Sequence, residues 1–271
     1  MNQHPAQDSG LNHIPVMITE VLSHLAIQPD GIYLDGTIGP GGHATLVLKE
    51  LTDGGKVIGI DRDKKALDIC KQNLKASSSI LSLYHNTYNN LDKILATEEL
   101  SAFNGIMLDL GLSSLQLGSK NRGFSYRSEG SLDMRYDQSS GSGAGKLINQ
   151  TSQHSLAQIF KEYGEERLAF RIAKSIKEMT AMNTIADLRE AIRRCTPPNH
   201  RDRTFARIFQ ALRIAVNGEL DILQQFLAKF IDFLRPNGRI VIISYHSLED
   251  RLVKHSFKEL ASGGRLDILT K

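Results

Sequence analysis

Three aspartates, Asp35, Asp61 and Asp109, each close a short apolar run, and the first leads directly into Gly36-Thr37-Ile38-Gly39-Pro40-Gly41-Gly42-His43. Glycines there remove the side chains that would hold a ligand away from the backbone, and a helix starting behind them aims its first amides outward. Gly39 to Ala44 fits the loose dinucleotide pattern G-x-G-x-x-A, which is a weak signal by itself. An acid placed like Asp61, at the end of a second strand, can accept both hydroxyls of an adenosine ribose. Three carboxylates around one loop would repel a pyrophosphate and attract a ligand carrying sulfonium and ammonium charges. That favours S-adenosylmethionine over a nicotinamide dinucleotide. The competing readings are a ligand-free strand-to-helix turn and aspartates that merely cap helices. His246, in "SYHSLED", is a second candidate for contacting a base or relaying a proton, against a histidine simply held by backbone. Ser247 with Asp250 reads as a capping box.

These residues need a scaffold that brings strand ends together. Apolar runs "GIYLD", "KVIGID", "ILSLYHN" and "FNGIMLDLG" alternate with the helical patterns "HATLVLKEL", "KKALDICKQNLK" and "NLDKILA", following a first helix in "PVMITEVLSHL". Strand-helix alternation of this kind predicts a parallel sheet covered by helices on both faces, with ligands at the carboxyl ends of the strands. The rhythm stops after Gly111, where a polar, Arg-dotted stretch and a "SSGSGAG" loop precede several amphipathic helices. It resumes with a helix from about Glu219 to Leu234, a stop at "RPNG", the strand "RIVIISYHS" and the helix "LEDRLVKHSFKEL"; "RLDILTK" has the composition of a further strand. The expected organisation is an α/β domain over 1–113 and 218–271, interrupted by a helical domain over 114–217.

The chain has 271 residues, 41% of them hydrophobic, enough for a sizeable core. No apolar run approaches a membrane span and the amino-terminal stretch is polar, so a cytoplasmic protein without a membrane partner is expected. Cys70 and Cys195 are the only cysteines, too few for a disulfide framework or a Cys-rich zinc site, and no metal is expected. The net charge of +3 decides little as a total. Between Ala186 and Arg207, however, Arg189, Arg193, Arg194, Arg201, Arg203 and Arg207 oppose only Asp187, Glu190 and Asp202. Such a face suits phosphates, though a solvated basic helix looks the same. "RGFSYRSEGSLDMRY" interleaves Phe124, Tyr126 and Tyr136 with Arg122, Arg127 and Arg135, the composition of a surface that stacks an unpaired base, or of core aromatics beside surface arginines.

Taken in order, "HIPVMITEVL", "DGTIGPGGHA", "IDRD", "GIMLDLGLSSLQL", "RGFSYRSEGSLDMRY", "YGEER", "FQALRIAVNGEL" and "ISYHSLEDR" resemble the bacterial ribosomal RNA methyltransferases often called MraW or RsmH. The resemblance runs from about His13 to His255. It implies a Rossmann-like class I methyltransferase sheet with an inserted helical domain, and methylation of the N4 amine of a cytidine in small-subunit (16S) ribosomal RNA. The partner would be that RNA or the small ribosomal subunit, with the oligomeric state left open. The resemblance also implies S-adenosylmethionine contacts from Gly41, Gly42, His43, Asp61, Tyr88, Asp109 and Gln116. Ile208 departs from the Thr usual in that family, and the family's C-terminal segment does not follow Lys271, which bears on the sheet edge and on activity.

An exocyclic cytosine amine is a poor nucleophile, so its methylation requires in-line placement and an acceptor for N–H hydrogens as charge develops. Asp109 is the first candidate acceptor, with service to the cofactor amino group an equal alternative for it, and His246 is the second. Three other readings remain: a DNA amino-methyltransferase, a nicotinamide-dependent oxidoreductase, and a catalytically silent ribosome-binding factor.

Overall fold

The computed structural model describes residues 15–119 and 121–270; His13 and Ile14, which head the first motif, lie outside them. Among the described residues the first helix is α1 (Ile18–Leu25), followed by β1 (Ile32–Asp35), α2 (Gly42–Glu50), β2 (Lys56–Asp61), α3 (Lys64–Asn73), β3 (Leu81–His85), α4 (Leu91–Thr97) and β4 (Phe103–Asp109). Helices α5 (Ser114–Gly118), α6 (Ala144–Gln150), α7 (Gln153–Gly164), α8 (Ala169–Lys177), α9 (Ile185–Cys195), α10 (Arg201–Asn217) and α11 (Glu219–Leu227) follow, before β5 (Leu234–Ile243) and α12 (Ser247–Ser262). The chain divides into two compact units, one up to Gly111 and from Ile222 onward, the other Leu112–Asp221.

In the first unit the strands form one parallel sheet in the order β3-β2-β1-β4-β5, a Rossmann-like arrangement. Parity sorts its apolar residues. Leu34, Ile58, Ile60, Ile106 and Leu108 pack on one face with Leu91, Ile94, Phe226 and Phe230. Tyr33, Val57 and Met107 pack on the other with Val21, Leu25, Val47 and Leu67. Side chains alternate across a strand, so continuous apolar runs are what a sheet covered on both faces demands. The chain moves outward from β1 in one direction through β2 and β3, then in the other through β4 and β5. In open α/β sheets such a reversal marks the place, at the carboxyl ends of the strands, where ligands bind.

The returning segment differs from the periodicity reading. Helix α11 stops at Leu227, a 3-10 turn takes Phe230–Phe233, and "RPNG" lies inside β5 instead of preceding it. Asn237 there has φ 63, and the β4–β5 register shifts between Phe103 and Gly105. Pro236 lacks an amide for the ladder, and β5, at one end of the sheet, tolerates that and an irregular register. Residues 266–270 form no strand.

The second unit is helical. Phe160, Ile172, Ile185, Leu188, Ile192, Ile208 and Leu212 are fully buried at its centre, so Ile208 is ordinary core. The irregular stretch before α6 is fastened by two buried polar side chains. Arg122 donates to the carbonyls of Arg135 and Tyr136 at 2.8 and 3.0 Å. Asn217 accepts the Tyr136 amide at 2.8 Å and donates to the Met134 carbonyl at 2.7 Å. Among the described residues no helix is long and apolar enough to cross a membrane.

Candidate active site

Asp35 pairs with Gly59 of β2 and Met107 of β4, so both neighbouring strands run on past it, to Asp61 and Asp109. The glycine loop fills the notch and is tied to all three aspartates. Asp35 Oδ1 accepts the Thr37 amide at 3.2 Å, Asp61 Oδ2 accepts the Gly39 amide at 2.8 Å, and the Asp109 amide donates to Thr37 Oγ1 at 2.7 Å. Asp61 Oδ1 takes the Asp63 amide at 2.7 Å. A carboxylate has about four lone-pair sites, so Asp61 shapes the loop and retains acceptor capacity for a ligand. Thr37 was missed in the sequence; its only signal was a hydroxyl next to the first strand-end acid.

The cluster is electrostatically tense. Burial pushes the Asp35 carboxyl up to about 7, with the Asp109 and Asp61 charges adding to it and the Thr37 amide opposing. Burial likewise raises Asp61 to about 6, against amides from Asp63 and Gly39 and with the neighbouring Asp63 charge. Cys70, buried behind the loop, is pushed up to about 12 by burial and by these same two acids. Carboxyls held above their ordinary range favour any ligand that brings positive charge or hydroxyl donors.

The loop glycines answer to the protein itself as much as to a ligand. Gly41, φ 95, is the residue from which α2 departs, and a Cβ on it would meet Leu74 Cδ1 at 2.8 Å and Cys70 Sγ at 3.0 Å. A Cβ on Gly36 would meet Leu108 Cδ2 at 2.4 Å. His43, in the first turn of α2 and buried, donates from Nε2 to the Val16 carbonyl at 2.9 Å, since a carbonyl can only accept. Its Nδ1 is 3.9 Å from Asp109 Oδ2. The structure therefore brings His43, Asp61, Asp109 and the Gly41-Gly42 backbone to one strand-end cluster.

The remaining candidates are placed differently. Tyr88 follows β3 and is buried, its ring edge-on to Phe226 at 5.4 Å. Its Cβ is what a side chain on Gly36 would meet at 3.0 Å, which puts it against the start of the loop. Gln116 belongs to the helical unit, where it closes a capping box with Ser113 at the start of α5. His246 is the N-cap of α12: its Nδ1 accepts the Glu249 amide at 3.4 Å, and its Nε2 lies 3.1 Å from Glu249 Oε1. The cap thus falls one residue before the expected Ser247, and the His246 ring is engaged with its own helix. The residue beside it faces the cluster instead. Tyr245 donates its phenol hydrogen to Asp109 Oδ1 at 2.9 Å. Its signal in the sequence was only its place at a strand end, next to the histidine that drew attention.

In the helical unit the arginines divide by what they hold. Arg201 donates to the carbonyls of Thr196 and Arg193, Arg189 donates to that of Tyr126, and Arg207 lies 3.7 Å from buried Glu166. Arg193 and Arg203 are exposed. The guanidinium of Arg193 sits 6.0 Å from the Phe205 ring centre, and that of Arg127 sits 5.5 Å from Tyr126, while the two rings stack at 5.5 Å. The aromatic stretch is mostly core: Phe124 and Tyr136 are buried and stack on each other at 5.5 Å. The expectation that all three rings form a base-stacking surface is corrected, because this irregular segment needs them as its own apolar filling.

The MraW methylase family model matches residues 10–267. The ribosomal RNA small subunit methyltransferase H of Thermotoga neapolitana is 46% identical over 265 residues, 96% of this chain and 87% of that protein. The protein of the same name from Halothermothrix orenii is 44% identical over 257 residues, 93% of this chain and 82% of its own length. Among solved structures, a putative rRNA-methylase from Clostridium thermocellum aligns with 38% of this chain and 55% of its own, at 20% identity and a TM-score of 0.33.

Proposed function

The chain belongs to the MraW methylase family, and from that premise we propose that it transfers the methyl group of S-adenosylmethionine to the N4 amine of a cytidine in small-subunit (16S) ribosomal RNA. The observation that carries the reading is the set of strand-end aspartates gathered on one glycine loop, two of them with carboxyls raised by burial. That donor set fits an adenosyl sulfonium ligand. Asp61 has acceptor capacity for ribose hydroxyls, and the Asp35 and Asp109 charges suit the ammonium and sulfonium end. The bound donor supplies an electrophilic methyl group, so the chain needs neither a covalent intermediate nor a strong base. Its own contribution is orientation and charge. Asp109, held by the Thr37 hydroxyl at its amide and by Tyr245 at Oδ1, accepts an amine hydrogen as positive charge develops. His43, fixed by the Val16 carbonyl, turns Nδ1 toward the same carboxylate.

RNA binding is assigned to the helical unit, with Arg127, Arg193 and Arg203 free of the carbonyl contacts that occupy Arg189 and Arg201. The test is transfer of labelled methyl from S-adenosylmethionine to 16S RNA, assembled small subunits and DNA, followed by nucleoside mass analysis. N4-methylcytidine from RNA supports the reading. Label only in DNA, RNA binding without transfer, or a different methylated nucleoside overturns it.

A further inference from the structure

Tyr245 stands out among the exposed large side chains of the first unit because its position is constrained while its surface is open. It is 57% exposed. Three contacts set its place. The phenol donates to Asp109 Oδ1 at 2.9 Å, and the Tyr245 amide donates to Glu249 Oε2 at 3.1 Å, so the backbone is gripped by the first turn of α12. The ring lies against Gly111, where a Cβ would come within 3.2 Å of Cδ2. Gly111 has φ 99, and its bare backbone lets the chain after β4 turn beneath the ring. The strand ends are level here, since Asp109 pairs with Ile243 and the Leu110 amide donates to the Ile243 carbonyl at 3.0 Å. An aromatic ring of fixed orientation, backed on one side by backbone and open on the other, thus stands beside the carboxylate of the methyl-transfer site.

Resting on the function proposed above, we propose that Tyr245 is the platform on which the unpaired target base stacks. A base must leave its helix for its amine to reach a methyl donor, and it then loses the stacking of its neighbours. An aromatic face at the site replaces that stacking without reading the base edge, which leaves the amine available to Asp109. The phenol-to-carboxylate bond fixes the ring plane in advance, so little side-chain freedom is lost when the base arrives. Tyr245 acts here as a positioning residue for the substrate, and its essential feature is the ring.

The experiment compares Tyr245→Phe and Tyr245→Leu with the unmodified protein. Each is titrated, with S-adenosylhomocysteine bound, into 16S RNA fragments in which the target cytidine is replaced by a fluorescent cytidine analogue quenched by stacking. Tyr245→Phe should retain the quenching and an RNA affinity within about threefold, whereas Tyr245→Leu should lose the quenching and bind roughly 5- to 100-fold more weakly. Both variants should still bind S-adenosylhomocysteine, which excludes collapse of the site. Equal quenching in the Leu variant and the unmodified protein overturns the platform. So does loss of quenching in Tyr245→Phe, since the ring by itself would then not carry the base. Methyl transfer by the unmodified protein is measured in parallel. If it methylates RNA while the Leu variant stacks normally, the platform fails and the function stands. If it neither binds nor methylates RNA, both fail.

Discussion

Replacing Asp61 by Ala should separate ligand affinity from stability. At pH 8 the Asp61 carboxylate is ionised in the folded protein. A folded value near 6 against an ordinary 3.8 means that enclosing its charge costs about 3 kcal/mol. Removing the carboxylate relieves that cost and leaves the Gly39 and Asp63 amides, which donate to it at 2.8 and 2.7 Å, without acceptors. Each orphaned amide costs about 1–3 kcal/mol, about 2–6 kcal/mol for the pair against about 3 relieved, so the net loss centres near about 1 kcal/mol. The unliganded variant should melt within about 5 °C of the parent. Binding of S-adenosylmethionine has no such compensation. Two ribose hydroxyls lose a charged acceptor, roughly 1.5–3 kcal/mol or about 10- to 150-fold in Kd. Asp61→Asn, which retains one oxygen acceptor, should fall between. Titration calorimetry gives the affinity and scanning calorimetry the melting temperature. Unchanged affinity would refute the ribose assignment. A fall in melting temperature of more than about 10 °C would instead show that the carboxylate acts mainly by holding the loop.

The pH dependence follows from the same acids. Asp35 and Asp61 have folded values of about 7 and 6, both above 3.8, so their contribution to stability is complete below about pH 4 and is lost as pH rises through 6 to 7. A cationic ligand favours the ionised forms, so its affinity should rise between about pH 5.5 and 8, with proton uptake by the buffer visible in calorimetry; a flat profile would exclude these carboxylates from the site. Asp109→Asn, nearly isosteric, should slow single-turnover methylation about a hundredfold at saturating cofactor. Full recovery at saturation would limit Asp109 to holding the donor. Reversing Arg127, Arg193 and Arg203 to Glu should weaken RNA binding and flatten its salt dependence while cofactor affinity holds, measured by filter binding from about 50 to 200 mM salt. Equal loss of cofactor affinity would refute the assignment of RNA binding to the helical unit.

Much of this protein was legible before folding because its signals are local. Continuous apolar runs between helical patterns determined a parallel sheet, and the glycine loop after the first strand and the acids at three strand ends were readable as neighbours on its carboxyl edge. The motif blocks determined the family, since side-chain types at fixed spacing survive in the one-dimensional record. What lay hidden depends on atoms far apart in the chain. Thr37 reaches the Asp109 amide and Tyr245 reaches the Asp109 carboxylate across 72 and 136 residues, and no periodicity encodes either bond. His246 and Tyr245 are neighbours that look alike as candidates. The turn into α12 sends one ring to its own helix cap and the other to the strand-end acid. Among the arginines, composition determined a basic segment, but only the packed helices decided that Arg201 is engaged with carbonyls while Arg193 lies over an aromatic ring. A charge is a property of a residue, whereas its availability depends on which carbonyl, carboxylate or ring the fold brings within reach.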